Sequence, residues 1–198
     1  WVLDTACAQF SSLRRRYPNL RLSTNLSARD FDHSDLDDVI SRVLALYSLP
    51  ADSLEVEITE RLLLEHSDKV SQRMQSLREL GIGIAIDDFG TGYSSLAYLR
   101  RCGVTRLKID RSFVRDLKTT EDHPIVSAIA GIARGFDLRL AAEGVERDEQ
   151  MNALEILGCD EMQGFLFSRP INAEEATRIL QNFRLPGVMP PPATALAP

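Results

Sequence analysis

The sequence is poor in the features that mark disulfide-rich, zinc-binding, secreted and membrane proteins. Its three cysteines lie far apart without a CxxC spacing, which argues against a disulfide framework and against a zinc knuckle. No apolar run approaches the roughly 18 residues of a membrane span, and no basic segment precedes an apolar one at the amino terminus. We therefore expect a reducing, cytoplasmic location and no membrane contact from this segment. A membrane anchor would have to lie elsewhere in a longer parent chain.

Positive charge is also scarce. Lysine and arginine together number 23, against 29 aspartates and glutamates, so the formal net charge is -6. This composition disfavours binding to a DNA or RNA polymer, whereas a small anionic ligand held through metal ions is compatible with it. The basic run Arg14–Arg16 is typical of a solvated helix face, and binding of an anionic surface is the weaker interpretation of it.

The remaining composition suits one globular domain. Of the 198 residues, 44% are hydrophobic and 26% are charged, which is enough for a sizeable core. Trp1 opens directly onto an amphipathic helical pattern, so we expect the chain to begin inside a longer domain. The stretch 186–198 is rich in proline and alanine and predicts a disordered tail. The predicted organisation is a folded domain over residues 1–183 and a tail over 184–198.

Strand and helix patterns alternate along the predicted domain. Six apolar stretches predict β-strands: Leu20–Ser27, Leu54–Glu60, Gly81–Asp88, Val104–Ser112, Leu138–Glu146 and Met162–Pro170. Six stretches predict the helices between and after them: Leu36–Tyr47, His66–Leu80, Ser94–Cys102, Pro124–Phe136, Arg147–Leu157 and Ala173–Asn182. Repeated βα units imply parallel strands, either in an open doubly wound sheet or in a closed (β/α)8 barrel. No GxGxxG motif follows the first strand, which counts against a dinucleotide-binding sheet.

Polar residues near the strand ends distinguish these two folds. Nearly every predicted strand carries such a group: Asn25, Glu57 with Glu60, Asp87 with Asp88, Lys108 with Asp110, Glu143 with Glu146, and Gln163 at the start of the last strand. Taken singly, each is more often a satisfied polar group near a loop. An open sheet concentrates its ligands at one switch point, whereas a barrel gathers them around its rim. The pattern therefore predicts an α/β fold, a (β/α)8 barrel of the TIM type with its active site at the carboxyl-terminal mouth.

The segment DDFGTGYSSL, which begins at Asp87, is the strongest indication of chemistry. Asp87 and Asp88 end the apolar run Gly81–Ile86 and lead into a turn that Gly90 and Gly92 permit. Neighbouring carboxylates repel each other unless a cation or a basic partner neutralises them, and divalent ions with oxygen ligands are the usual solution. The alternative is that the pair of aspartates only caps a loop.

The other strand-end residues extend this interpretation to a two-metal site. Five side chains offer hard oxygen ligands: Asn25, Glu57, Asp87, Asp88 and Glu143. They suit Mg²⁺ or Mn²⁺ better than zinc, and they exceed the needs of one hydrated ion, which favours two ions bridged by Asp87. Two ions favour phosphodiester hydrolysis, in which Lys108 neutralises a phosphate or orients a water and Glu143 accepts its proton. An inward lysine could instead balance carboxylates in a structural network.

Six motifs resemble, in order and at suitable spacing, the successive signatures of the EAL domain family. They are NLS at Asn25, EITE at Glu57, DDFGTGYSSL at Asp87, LKIDRSFV at Leu107, AAEGVE at Ala141 and QGFLFSRP at Gln163. The resemblance covers nearly all of the chain up to about residue 183. It implies a modified TIM barrel that uses two divalent ions, Mg²⁺ or Mn²⁺, to hydrolyse the bacterial second messenger cyclic di-GMP to linear pGpG.

The resemblance also implies a role for each carboxylate near the metals. Asn25, Glu57 and Asp87 match metal ligands of the family. Asp88 and Glu143 match groups that serve the second ion or the attacking water. The family thus implies the same ligand set that the residue types favour.

The remaining candidate residues match groups around the water, the substrate and the neighbouring loop. Lys108 matches a lysine beside the nucleophilic water, and Gln163 matches a water-positioning amide. Glu60 matches the glutamate that holds the loop after the two aspartates, a segment that couples metal binding and dimerisation to activity in the family. We therefore expect a homodimer formed through this loop. Asp110 and Glu146 are expected to contact the substrate.

The sequence departs from the family in one respect, because no Glu-Ala-Leu tripeptide occurs in it. In the family this tripeptide and a following arginine lie on an early strand, which would precede Trp1. We therefore expect the chain to lack the first two barrel strands and to be weakly active or inactive alone. Two hypotheses follow: most of an active phosphodiesterase domain that its parent chain completes, or a catalytically silent EAL-like module that binds cyclic di-GMP or a protein partner.

Overall fold

Strands and helices alternate along most of the chain. The computed structural model describes residues 1–65, 67–92, 96–117 and 123–182. The strands in this part are β1 (Leu22–Asn25), β2 (Leu54–Thr59), β3 (Gly83–Phe89), β4 (Arg106–Ile109), β5 (Arg139–Ala142) and β6 (Glu161–Met162). The helices there are α1 (Val2–Arg16), α2 (Ala28–Asp32), α3 (Leu36–Leu46), α4 (Glu60–Glu65), α5 (Ser67–Glu79), α6 (Leu96–Arg101), α7 (Arg111–Val114), α8 (Pro124–Gly135), α9 (Asp148–Ile156) and α10 (Ala173–Asn182).

All six strands are parallel and stand in the sheet in the order of the sequence, from β1 to β6. A doubly wound sheet reverses its strand order at a switch point, and this sheet does not. The strands curl into a half-barrel with helices packed on one side. The prediction of a barrel-type α/β fold is therefore confirmed, as is the convergence of the carboxyl ends of the strands on one rim.

The two faces of the sheet differ in chemistry. On β3, Ile84 and Ile86 are fully buried on the face covered by α5, where Met74 and Leu77 are equally buried. Successive side chains of a strand alternate between the two faces of a sheet. Glu57 on β2 and Lys108 on β4 point to the other, concave face. The helices thus cover an apolar face, and the interior of the half-barrel is lined by charges.

The strands are shorter than the sequence predicts. The stretch Val104–Ser112 forms a strand only as far as Ile109, because Asp110 caps α7 by accepting a hydrogen bond from the backbone N–H of Ser112 at 3.0 Å. Likewise Leu138–Glu146 forms a strand only over β5, and Glu60 begins α4 instead of ending β2. The short helices α2 and α7 and the helix α4 are not predicted from the sequence.

The predicted last strand, Met162–Pro170, is wrong in extent. Only two residues of β6 pair with β5, and the chain then turns so closely over Val145 that a Cβ on Gly164 would lie 2.0 Å from the Val145 carbonyl oxygen. The backbone N–H of Leu166 donates to the same oxygen at 3.0 Å. Gln163 therefore follows its strand and stands at the carboxyl end rather than at the start.

Most predicted helices are present. The predictions His66–Leu80 and Ser94–Cys102 correspond to α5 and α6. Residues 66, 94 and 95 of these predictions lie outside the described residues, as do residue 183 and the predicted tail 184–198. Within the described part of the chain, every helix is too short or too polar to cross a membrane.

Candidate metal centre

Three carboxylates meet at the carboxyl ends of neighbouring strands. Glu57 comes from β2, Asp87 from β3, and Glu143 directly follows β5. One oxygen atom of each lies within 4.8 Å of the others. Among the residues that the structure describes, this is the group of acidic, histidine or cysteine side chains that is close enough to hold a metal ion. Oxygen-only donors of this kind suit a hard divalent cation.

Lys108, on the intervening strand β4, lies among these three carboxylates. Its Nζ is 2.6 Å from Glu57 Oε2, 3.1 Å from Asp87 Oδ1 and 2.5 Å from Glu143 Oε1. Burial by itself lowers the pKa of Lys108, but the hydrogen bonds to Glu143 and Glu57 outweigh it, and the pKa lies above the ordinary lysine value. The buried side chain therefore stays positively charged.

Glu143 differs from an ordinary surface glutamate. Burial raises its pKa, and the charges of Asp87 and Glu57 raise it further, against the opposing effect of Lys108. A carboxyl group with a raised pKa binds a proton more readily than a free glutamate does. This property suits a group that accepts a proton during a reaction near neutral pH.

Asn25 and Gln163 flank the carboxylates from the two outer strands. Asn25 ends β1 and is paired in register with Glu57, so its amide stands beside that carboxylate at the same rim. Gln163 is exposed just past β6 and lines a cavity of about 170 Å³ together with Glu57, Lys108 and Glu143. The structure thus brings six of the predicted residues to one place: Asn25, Glu57, Asp87, Lys108, Glu143 and Gln163.

Asp88 lies outside the group of three carboxylates. Its backbone φ is 54°, in the left-handed region. Its carboxyl group is hydrogen-bonded to Asp110, and burial, followed by the charges of Asp87 and Asp110, raises its pKa. Burial also raises the pKa of Asp110, but hydrogen bonds from Ser112 and Asp88 outweigh it and leave the pKa below its usual value. Their mutual hydrogen bond thus raises the pKa of Asp88 and lowers that of Asp110.

Glu60 holds the loop that follows the two aspartates. Its Oε2 accepts hydrogen bonds from the backbone N–H groups of Gly90 at 2.9 Å and Gly92 at 3.3 Å, and the side chain is buried. Gly90 has a φ of 97°, which a residue with a side chain rarely adopts. The end of this loop, residues 93–95, lies outside the described residues.

A larger cleft of about 870 Å³ opens beside the carboxylates. Its walls carry acidic groups that the sequence analysis singles out, namely Asp88, Asp110, Glu143 and Glu146. They also carry three arginines that it misses, Arg111, Arg115 and Arg147. Arg111 lies within the motif LKIDRSFV, but no motif separates Arg115 and Arg147 from the other basic residues of the chain. Their position at one cleft is a property of the fold.

A second charged layer, also missed, lies beneath the carboxylates on the concave face. Arg106, buried and two residues before Lys108, contacts Glu55 at 2.9 Å and Glu161 at 2.7 Å. Glu161 also pairs with Arg21 at 2.6 Å. The sequence contains two indications of this layer. Glu55 lies two residues before Glu57 and Arg106 two before Lys108, and residues two apart on a strand point to the same face.

Comparison with known proteins supports this picture. The sequence matches the EAL domain over residues 1–170. It is 42% identical over 177 residues to the bifunctional diguanylate cyclase/cyclic di-GMP phosphodiesterase MucR of Pseudomonas aeruginosa, covering 88% of this chain and 26% of MucR. It is 39% identical over 192 residues to the cyclic di-GMP phosphodiesterase NbdA of the same species, covering 96% of this chain and 24% of NbdA. The chain spans about a quarter of the length of these curated relatives.

Solved structures agree in fold and sequence. The MucR phosphodiesterase in complex with c-di-GMP matches with a TM-score of 0.84 and 42% identity, over 89% of this chain and 72% of that one. A manganese and cy-diGMP complex of Klebsiella pneumoniae BlrP1 matches with a TM-score of 0.72 and 30% identity, over 85% of this chain and 44% of that one. The half-barrel, its rim of carboxylates and these likenesses lead to one conclusion: the chain belongs to the EAL domain family.

Proposed function

We propose that this chain acts as part of a metal-dependent phosphodiesterase domain that hydrolyses cyclic di-GMP to linear pGpG. The observation that carries the proposal is the cluster of Glu57, Asp87 and Glu143 around Lys108 at the carboxyl rim of the half-barrel. The names of MucR and NbdA, both cyclic di-GMP phosphodiesterases, support the choice of substrate.

The donor set fits a divalent ion. Glu57, Asp87 and Glu143 would hold it, with the Asn25 amide beside Glu57 as a further oxygen ligand and Asp88 serving a second ion. Mg²⁺ and Mn²⁺ both suit these oxygen donors, and the manganese complex of BlrP1 supports the same class of ion. When bound, such ions lower the pKa of water and stabilise charge on the oxygens of a phosphodiester under displacement.

The residues of the chain then divide the remaining tasks. Lys108 brings positive charge to the phosphate or to the water, and Glu143 accepts the proton of the water. The Gln163 amide, at the edge of the same cavity, orients that water. Glu60 fixes the turn at Gly90, so that the aspartates before it keep their positions.

The large cleft gives the nucleotide a place beside the metal cluster. Its volume of about 870 Å³ is within the range of small-molecule sites. Asp110 and Glu146, which line it, can accept hydrogen bonds from the base edges of the substrate. The same proposal includes a homodimer formed through the loop after Asp88 and a cytoplasmic location. Sedimentation of the purified chain would test the dimer.

The first experiment is a cyclic di-GMP hydrolysis assay with Mg²⁺ or Mn²⁺. It compares this chain with a longer form that carries the expected additional strands, each beside its Glu143→Ala variant. We expect turnover to pGpG by the longer form, little by this chain, and loss in Glu143→Ala. Glu79→Ala, which removes an exposed glutamate of α5, is the matched control and should keep full activity.

The opposite result is equally informative. A well-folded longer form that binds cyclic di-GMP without hydrolysing it would overturn the enzyme and leave the receptor hypothesis. A longer form that neither binds nor hydrolyses the dinucleotide would overturn both.

A further inference from the structure

Lys108 contacts the same three residues that could hold a metal ion. Its Nζ lies 2.5 to 3.1 Å from one oxygen each of Glu143, Glu57 and Asp87. Hydrogen bonds to Glu57 and Glu143 and an ion pair with Asp87 engage the ammonium group. The Lys108 side chain is only 6% exposed, so the carboxylates are its main partners.

The charges in this cluster are unequal. Three carboxylates face one ammonium group, so two negative charges remain, the amount that a single divalent cation neutralises. An ion that takes these oxygens as ligands must replace the ammonium group as their neighbour. An ammonium group and a divalent ion on the same carboxylate oxygens repel each other.

We propose that Lys108 is a built-in counter-ion that competes with the first divalent ion for the oxygens of Glu57, Asp87 and Glu143. The ammonium group gathers the three carboxylates in a ligating arrangement and withdraws when the ion enters. The inference rests on the metal site of the proposed function, and it adds that metal affinity is set below its maximum by this lysine.

The surroundings of Lys108 allow such a movement. Its flexible four-carbon stem borders the cavity of about 170 Å³, whose wall beside it is formed by the small residues Ala141 and Ala142. In the strand register Lys108 stands opposite Ala141, whose side chain is short. Arg106 in the layer below is instead fixed by Glu55 and Glu161.

Calorimetric titration of Mn²⁺ into EDTA-treated, dialysed protein tests the competition without any substrate. The variants are Lys108→Met, which removes the charge at similar length, and Lys108→Arg, which keeps it. Lys69→Met, an exposed lysine of α5, is the control. We expect Lys108→Met to bind Mn²⁺ about tenfold tighter than the wild type, or more. The wild type and Lys69→Met should bind it alike, and Lys108→Arg, which keeps the positive charge, should show no such gain in affinity.

Melting curves with EDTA and with Mn²⁺ provide a second readout. Lys108→Met should melt below the wild type in EDTA and gain more from Mn²⁺ than the wild type does, because its carboxylates then lack any cation. If this variant is unfolded in EDTA, refolding at Mn²⁺ concentrations below the half-saturation of the wild type supports the inference. A failure of Mn²⁺ to refold it overturns the inference.

Each result of the titration has a distinct meaning. Equal or weaker Mn²⁺ binding by Lys108→Met overturns the competition and leaves the proposed phosphodiesterase intact. Absence of Mn²⁺ binding in every variant of this chain overturns the competition, and the hydrolysis assay of the longer form then decides the proposed function separately. Binding by Lys108→Met alone supports the competition in its strongest form.

Discussion

Two charged layers occupy the concave face of the half-barrel, one above the other. The upper layer consists of Glu57, Asp87, Lys108 and Glu143, and the lower one of Arg21, Glu55, Arg106, Arg139 and Glu161. The two layers share strands, since Glu55 precedes Glu57 by two residues on β2 and Arg106 precedes Lys108 by two on β4. Both layers therefore lie on the same strands and on the same face of the sheet. They differ mainly in the balance of positive and negative charges.

That difference in balance separates a structural network from a site. In the lower layer every carboxylate meets at least one arginine, and the guanidinium of Arg106 bridges two of them. In the upper layer three carboxylates share one flexible ammonium group. The lower layer has three arginines for its two carboxylates, so none of its negative charge is left over, whereas the excess negative charge of the upper layer calls for a further cation. We therefore expect the lower layer to stabilise the fold and the upper layer to bind the metal ion.

The largest expected effect comes from breaking the lower layer. Arg106→Met leaves Glu55 buried without its partner, so we expect a loss of about 3–5 kcal/mol in the free energy of unfolding. Urea denaturation measures it. The loss should be the same with and without Mn²⁺, since this layer does not hold the ion.

Arg139→Met is the control for that change. Arg139 is 57% exposed and lies 3.6 Å from Glu161, and exposed pairs contribute about 0–1 kcal/mol. Equal losses in the two variants, or a loss in Arg106→Met that Mn²⁺ restores, would contradict the division into two layers.

A smaller effect should separate the two glutamates of β2. Glu57→Gln removes a predicted ligand, and we expect Mn²⁺ affinity to fall about 10- to 100-fold. Glu55→Gln, at the same face of the same strand, should leave the affinity near that of the wild type. Calorimetric titration of both variants makes the test. A similar fall in both would mean that metal binding depends on the general negative charge of the interior rather than on the upper layer.

The smallest effect concerns pH. Burial raises the pKa of Glu55, against the opposing charges of Arg106 and Arg21. A carboxyl group with a raised pKa in the folded state stabilises the protein below its unfolded pKa, and this contribution is lost as pH rises through the folded pKa. The stability of the wild type relative to Glu55→Gln should therefore fall from about pH 4.5 upwards. Urea denaturation over a pH series measures this difference, and a constant difference would argue against a perturbed Glu55.

The order of the elements was predictable, but their ends were less so. Apolar periodicity gave the strands because it reflects the alternation of faces that the sheet imposes. Asp110 and Glu60, counted as strand-end residues, are instead a helix cap and the first residue of α4. Their roles depend on side-chain hydrogen bonds to Ser112 and Gly90, which periodicity does not report.

Within the candidate site, the residue types were predictable from the sequence, but the contacts between their side chains were not. Glu57, Asp87, Lys108 and Glu143 were expected at one rim, where the structure has them. The sequence treated Asp88 like Asp87, but the carboxyl group of Asp88 is hydrogen-bonded to Asp110. Neighbours in sequence need not be neighbours at a site where the strand is irregular, as β3 is between Ile86 and Phe89.

The sequence by itself determined the parallel βα architecture, the family and the set of oxygen-bearing side chains, because each is written in local patterns of polarity and in motifs. Only the tertiary structure decided which charges meet. Arg106 reaches Glu55 and Glu161 from strands far apart in the chain, while Lys108 reaches the carboxylates above them. The physical reason is that the curl of the sheet brings distant strands across one interior, where a low dielectric makes each unbalanced charge matter.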